Sequence, residues 1–374
     1  VHIRRLLLRD VRTYDHLDLE LPPGVITLLG SNGQGKTNLV EAIGYLATHT
    51  SHRVATDAGL VRIGADRAFI GAEVARDGRG VHLDVEIIPG KSNRIRLNRM
   101  PVSRAREGLG IVHTVLFAPE DLSIVKGDPS ERRAFLDTLI TQLSPRLAGV
   151  RTDYDRVLRQ RNALLKTVGS AHRSASAAVD ATLAVWDEQL IALGAELVHA
   201  RLALVERLQP EFELCYDEIS GGRGPARLSY QSAWTQASTD RTDLQHSLAT
   251  ALESRRREER DRGITLVGPH RDDLALTLDG HPVRGYASHG ESWSVALGMR
   301  LASFDVLRAD AGEDPILILD DVFAELDARR RDCLARRVET VEQVLITAAV
   351  EQDVPAAAGA AVYDVVRGQV SRRG

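Results

Sequence analysis

The sequence predicts an α/β fold of two lobes, a mixed sheet lobe built around a phosphate-binding loop and an inserted, mostly helical lobe, with no long coiled coil. Three observations carry this expectation. Val25-Ile26-Thr27-Leu28-Leu29 is a continuous apolar run that breaks into Gly30-Ser31-Asn32-Gly33-Gln34-Gly35 and then into a helical pattern from Lys36 to Ala47, so a strand, a glycine loop and a helix follow one another. Ile316 to Leu319 is a second buried-strand run, and it ends in Asp320-Asp321. Between these two, from Ser130 onward, the apolar residues take helical spacing.

Taken in order, Ile3 to Leu8 and His16 to Leu21 read as strands, the second with period-2 alternation. Residues 68–99 alternate again and are punctuated by Asp77-Gly78 and Pro89-Gly90, the pattern of antiparallel hairpins. Ser130 to about Cys215 reads as helices marked by Leu158, Leu165, Leu183, Leu190, Leu197 and Leu204, with the small-residue stretch Gly169 to Ala178 joining two of them. Ser220 to Pro225 is a loop, Ala226 to Tyr230 a strand, Thr242 to Arg262 a helix and Leu274 to Leu278 part of a strand pair. Trp293 to Leu307 is strongly helical, and Val344 to Ile346 is a buried strand behind an Arg-rich helix. No repeat of fixed period is present.

Composition bounds the function. A chain of 374 residues with 43% hydrophobic and 27% charged residues has material for a sizeable core and more than one domain. No apolar run is long enough to cross a bilayer and no charged-then-apolar leader opens the chain, so a cytoplasmic location is expected. Cys215 and Cys333 are the only cysteines and lie far apart, which fits a reducing compartment. A net charge of −4 gives no bulk attraction to nucleic acid, so any such binding must use a local patch. Lysine occurs only at Lys36, Lys91, Lys126 and Lys166. Arginine clusters are therefore weak evidence for function in this chain, and a well-placed lysine is strong evidence.

Gly30 to Thr37 fits the phosphate-binding loop G-x-x-x-x-G-K-[ST] in full. The glycines let backbone N–H groups turn inward around a phosphate, Lys36 reaches the β/γ oxygens, Thr37 offers its hydroxyl to Mg²⁺, and the helix start adds its dipole. Such a loop needs a carboxylate at the end of a neighbouring strand. Asp320 would hold the Mg²⁺, and Asp321 would orient or deprotonate the attacking water. Ala287-Ser288-His289-Gly290-Glu291-Ser292 places a serine, a glycine and free N–H groups at a helix start, which reads either as a simple cap or as a second anion site for the γ-phosphate of a head-to-tail partner. Ala324-Glu325-Leu326-Asp327 then matches a turn that such dimers place across the interface.

With these residues in view, the order of phosphate loop, serine-glycine signature, acidic pair and A-x-L-D turn resembles an ABC-type ATPase head of the SMC-related DNA-repair branch, and within it the RecF family. Pro119-Glu120-Asp121-Leu122 through Phe135-Leu136-Asp137 resembles a signature of that family along its whole length, as do Gly268-Pro269-His270-Arg271-Asp272-Asp273 and Asp321 to Asp327. The similarity runs from Leu6-Leu7-Leu8-Arg9-Asp10-Val11-Arg12 almost to the C-terminus. It implies ATP and Mg²⁺ as cofactors, with Gly30 to Thr37, Ser288, Gly290, Glu291 and Asp327 around the nucleotide, Thr37 and Asp320 at the metal, and Lys36 and Asp321 in catalysis. It further implies a lobe I from 1–118 and 306–374, a lobe II from 119–305 and an ATP-dependent homodimer. That dimer would clamp DNA at single-strand gaps or duplex junctions without sequence preference, act with RecR and RecO, and serve repair, replication restart and SOS induction.

Departures from that pattern bear on turnover. ABC heads often carry Glu at the position of Asp321, Gln at Glu291 and a switch His near Thr347, and no counterpart of the lobe-linking glutamine is evident, a place that Glu120 or Asp121 would take. A weak, DNA-stimulated ATPase is the expectation. For DNA, Lys91, Arg94, Arg96, Arg99, Arg104 and Arg106 form a basic run without an acid among them, whereas Arg255, Arg256, Arg257, Arg260 and Arg262 alternate with acids as on a solvated helix face. His52-Arg53 and His270-Arg271 read as structural or interface residues. An SMC-like chromosome protein, a transporter ATPase subunit and a nucleotide kinase are the competing readings. The first needs long heptad helices for which the chain has no room, the second does not suit the 119–137 segment, and the third needs a lid and a second substrate site.

Overall fold

The alternation in the first hundred residues builds one antiparallel sheet. In chain order, β1 (His2–Val11), β2 (Tyr14–Glu20), β3 (Gly24–Leu29) and α1 (Lys36–Thr48) are followed by β4 (Ala68–Arg76), β5 (Arg79–Ile87), β6 (Arg94–Leu97) and β7 (Met100–Pro101). All but β3 and α1 join in the order β2-β1-β4-β5-β6-β7. Period-2 residues such as Leu6, Leu8, Leu17 and Leu19 are buried on one face of it. The computed structural model describes residues 1–54, 56–76, 78–170, 177–235, 238–354 and 361–373. Most of the expected connection at Gly169 to Ala178, and Asp77 of one expected turn, lie outside them.

The middle of the chain is helical, as its spacing predicts. β8 (Thr114–Phe117) leads to α2 (Leu122–Lys126), α3 (Pro129–Leu143), α4 (Pro145–Ser170) and α5 (Ala177–Ser220), then to β9 (Ala226–Gln231), α6 (Arg241–Arg262), β10 (Asp273–Leu278) and β11 (His281–Pro282). At 1.5 Å per residue, the 44 residues of α5 extend roughly 65 Å, and the helix continues past Cys215, where the apolar markers end. α6 packs on α4 and α5 through Leu244, Leu248 and Leu252. The strands β11-β10-β9 form a small antiparallel sheet.

The last part of the chain returns to the sheet lobe. α7 (His289–Ala311) feeds β12 (Ile316–Asp320), and α8 (Ala328–Val338), β13 (Gln343–Ala348), β14 (Ala361–Val366) and β15 (Gln369–Arg372) complete a second six-stranded sheet in the order β15-β14-β3-β13-β12-β8. The expected boundary at 305/306 falls inside α7, which is one continuous helix. As its unbroken apolar run requires, β3 is central, parallel to both β13 and β14. β12 runs parallel to β13 and β8, and only β15 is antiparallel. α1 is buried with one face of this sheet and with the first sheet through Leu39, Val40, Ile43 and Leu46. The opposite face packs on α3, α5, α7 and α8. The carboxyl ends of β3, β13, β12 and β8 thus share one edge, where open parallel sheets bind ligands.

Candidate nucleotide site and the helix start that faces outward

The loop after β3 is braced from two sides. Gly35 has φ 114° and its carbonyl accepts a hydrogen bond from Tyr14 Oη at 3.0 Å. A side chain there would be strained and would meet Thr13 Oγ1 at 3.0 Å. At Gly30 a Cβ would collide with the carbonyl of Val365 in β14. Gln34 is held by the turn between β14 and β15, accepting from the Arg367 amide at 2.8 Å and the Gly368 amide at 3.0 Å. Beneath the loop, buried Glu41 of α1 takes both guanidinium arms of Arg12 at 2.9 and 2.7 Å. Ser31, Asn32 and Gly33 stay exposed at the rim while Lys36 is buried, its Nζ donating to the Gly30 carbonyl at 2.7 Å.

The register of the parallel strands places the acids. Asp320 lies opposite Thr347, and Thr347 opposite Leu28, so one row across three strands carries the chemistry. Asp320 Oδ1 accepts from Thr347 Oγ1 at 2.6 Å and from Thr37 Oγ1 at 3.1 Å. Burial, reinforced by the nearby charges of Asp321 and Glu120, pushes Asp320 up to about 6 against those two bonds. Asp321 is half-buried, turns at φ 52° and donates its amide to Thr347 Oγ1 at 2.9 Å. It lines a cleft of about 170 Å³ with Asn32, Pro119, Phe323, Glu325 and Thr347. Thr37 and Asp320 are hard oxygen donors side by side, which suits Mg²⁺, a cation that takes few protein ligands and completes its shell with phosphate and water. Among the described residues no group of three or more His, Cys, Asp or Glu is arranged to hold a metal.

Ser288, Gly290 and Glu291 are not part of that cluster. Ser288 is exposed and caps α7: its Oγ accepts the Glu291 amide at 3.2 Å while the Glu291 carboxylate accepts the Ser288 amide at 2.8 Å. Those bonds hold Glu291 below the usual carboxylate range. One arginine that the sequence did not single out organises this end. Arg330 donates from Nε to Ser294 Oγ at 2.9 Å and from Nη2 to the Gly290 carbonyl at 2.8 Å, and pairs with Asp327, which caps α8. The signature residues and the turn ending at Asp327 are therefore coupled within one chain.

Two of the resembling stretches, 119–137 and 268–273, meet in the helical lobe. Arg132 holds Asp273 with both arms at 2.8 and 2.9 Å, and Arg133 donates to the Asp272 carbonyl at 2.7 Å. Asp137 accepts both arms of Arg201 at 2.8 and 2.9 Å, and Arg201 also reaches the Pro269 carbonyl at 2.7 Å. His270 donates from Nε2 to the Thr265 carbonyl at 3.3 Å and accepts from Tyr154 Oη at 2.7 Å, and burial lowers it to about 4. It is a neutral structural histidine. Of the two acids that follow Pro119, Asp121 is buried on Arg300 of α7 at 2.5 Å and on the Ala118 amide at 3.1 Å, leaving Glu120 exposed beside Asp320. Arg53 donates to Asn38 at 2.9 Å, against α1.

The basic runs differ in how fully they are paired, with Arg94 of the first 3.5 Å from Glu86. Lys91, Arg94, Arg96, Arg99 and Arg104 are exposed along the β6–β7 edge of the first sheet, with Arg106 half-buried. On α6, Arg255, Arg256, Arg260 and Arg262 are paired with Glu258, Glu253 and Asp187, Asp180, and Glu258.

A phosphate loop beside an acid-tipped parallel strand, with a capped serine-glycine helix start carried on an inserted helical lobe, defines an ABC-type P-loop ATPase head. The RecF/RecN/SMC N terminal domain matches residues 2–371. The chain belongs to that family and, within it, to the RecF proteins. It is 54% identical over 373 residues to the DNA replication and repair protein RecF of Streptomyces avermitilis, and 54% identical over 377 residues to that of Frankia alni, with all of each chain covered. A solved structure of the recombination mediator protein RecF-ATP in the RecFOR pathway is 27% identical and superposes with a TM-score of 0.90 over all of this chain and 98% of that one. An SMC head from Pyrococcus furiosus with an extended coiled coil, 17% identical with a TM-score of 0.54 over all of this chain and 96% of that one, shares the fold. No helix among the described residues is long and apolar enough to cross a membrane.

Proposed function

We propose that this protein is an ATP-dependent, DNA-binding recombination mediator that works in the cytoplasm as a nucleotide-closed homodimer. One observation carries the reading: Lys36, Thr37, Asp320 and Asp321 converge at one sheet edge, whereas Ser288 and Gly290 sit on a separate, exposed helix start. Lys36 and the loop amides would hold the triphosphate, and Thr37 with Asp320 the Mg²⁺, which supplies charge neutralisation at the β/γ oxygens. Asp321 is the base or orienting group for water. Ser288, Gly290 and Glu291 of one subunit, with Asp327, would complete the site of the other, so that nucleotide binding and dimer closure are one event.

Closure would bring the basic edges of two heads around duplex backbone, giving binding without sequence preference that weakens with salt. Hydrolysis is weak, stimulated by DNA, and serves release. The relatives' names support roles in DNA repair and replication, and the mediator structures of the RecFOR pathway support RecR and RecO as partners; the DNA they would meet is a single-strand gap or duplex junction. An SMC-like tether is disfavoured, since no long coiled-coil rod leaves the head among the described residues. The deciding experiment is sedimentation of the protein with Mg-ATP, with and without gapped duplex. ATP-dependent dimers that hold DNA support the reading, and a chain that stays monomeric with bound ATP overturns it.

A further inference from the structure

We propose that Thr347 is a positioning residue for hydrolysis: its one hydroxyl ties the Asp320 carboxylate to the Asp321 backbone and holds Asp321 in its left-handed turn. The proposal rests on the ATPase reading above and extends it to a residue outside the phosphate loop and the acidic pair. A threonine hydroxyl has a single proton and two lone pairs. Here the proton lies on Asp320 Oδ1 at 2.6 Å, so the Asp321 amide, 2.9 Å away, must be accepted by a lone pair of that same oxygen. Both bonds are thereby directional, and neither can be made by the other's route.

The backbone explains why the bond is needed. β12 and β13 pair in register up to Asp320 opposite Thr347, and there the ladder between them ends. Asp321 turns away at φ 52°, a region that non-glycine residues occupy only where neighbouring groups fix it. Its amide has left the ladder and is taken by a side chain instead. Asp320 Oδ1 also accepts from Thr37 at 3.1 Å. The first helical turn after the loop, the strand-end carboxylate and the following acid are thus joined through one carboxylate oxygen and one hydroxyl. A shift of Asp320 reaches Asp321 through Thr347.

The side chain is 1% exposed, so shape and hydrogen bonding can be separated by substitution in the full-length chain. Thr347→Val keeps the branched volume and removes the hydroxyl, and Thr347→Ser keeps the hydroxyl and removes a methyl. With saturating Mg-ATP and DNA, the valine variant is expected to lose at least tenfold in kcat with KM for ATP within threefold, and the serine variant to retain at least half of kcat. Amide exchange at Asp321 is expected to be slow in the parent and serine chains and at least tenfold faster in the valine chain. If the valine variant does not melt cooperatively, Thr347→Ala is read in its place. Valine turnover within twofold of the parent, or a serine variant as impaired as valine, overturns the proposal. Should the parent show no turnover, the ATPase reading fails, and the exchange rates still decide whether Thr347 fixes Asp321: equal rates overturn it.

Discussion

The two halves assigned to the nucleotide are built in opposite ways. The phosphate loop is braced at both ends and from beneath: Gly30 lies under Val365, Gly35 under the turn holding Thr13 and Tyr14, Gln34 against Arg367 and Gly368, and Glu41 beneath on Arg12. At Ser288 the helix start is exposed, closed by its own capping box, and tied to the rest of the chain through Arg330. The loop half is fixed before anything binds, so its binding energy is not spent on ordering the cradle. The helix half presents an exposed start whose cap is closed by its own side chains. That asymmetry is what a site shared between two subunits requires.

The contrast breaks most severely at Lys36. Lys36→Ala removes the only lysine of the loop, and ATP affinity is expected to fall at least 100-fold, about 3 kcal/mol or more, in a chain that folds normally. Titration with a fluorescent ATP analogue measures it, and affinity within threefold of the parent would show that the loop does not carry the nucleotide. Ser288→Arg tests the other half. The monomer should bind ATP within twofold of the parent, while dimerisation with a nonhydrolysable analogue weakens at least 30-fold in sedimentation velocity. Loss of ATP binding by the monomer would mean that the helix start serves its own chain.

Arg330→Ala sharpens the comparison rather than breaking it. The variant loses the bonds to Gly290 and Ser294 and the pair with Asp327, so the signature loop and the Asp327 turn no longer move together. Dimerisation is expected to weaken about tenfold with monomer ATP binding unchanged, alongside a stability loss of about 1–2 kcal/mol from the broken bonds. Unchanged dimerisation would leave Arg330 as a packing residue alone.

What the sequence made legible was local. The glycine loop, the central β3, the acidic end of β12 and the α6 helix follow from apolar runs and spacing within a few residues. β8 and β15 have four residues each, too short for periodicity to distinguish from loop. The same limit applies at the site. Tyr14, Arg367 and Arg330 act on groups 21, 333 and 40 positions away, and no spacing rule connects them. The 119–137 and 268–273 stretches stood out only as a resemblance. Their meaning, Arg132 on Asp273 and Asp137 on Arg201, appears once the helices pack.

Acidification is expected to move the comparison least, because it acts on the scaffold of both halves. His49, at the end of α1, and His270, in the helical lobe, are each lowered by burial to about 4 from 6.5. Both are neutral in the folded chain, and the unfolded chain binds more protons between those values, so stability is full above about pH 6.5 and falls as pH drops toward 4. Going from pH 8 to pH 6 should cost about 0.8 kcal/mol per histidine, roughly fourfold in the folding equilibrium. The control for His270 is Tyr154→Phe, which removes the hydroxyl that donates to Nδ1. Denaturant unfolding at the two pH values checks the slope. Asp320 and Asp272, each raised by burial to about 6, take up protons in the folded chain over the same range and offset part of that loss. NMR titration of the two rings is therefore the direct check: a His270 ring that is protonated at pH 6 in the folded chain would overturn the assignment and reverse its hydrogen bond with Tyr154.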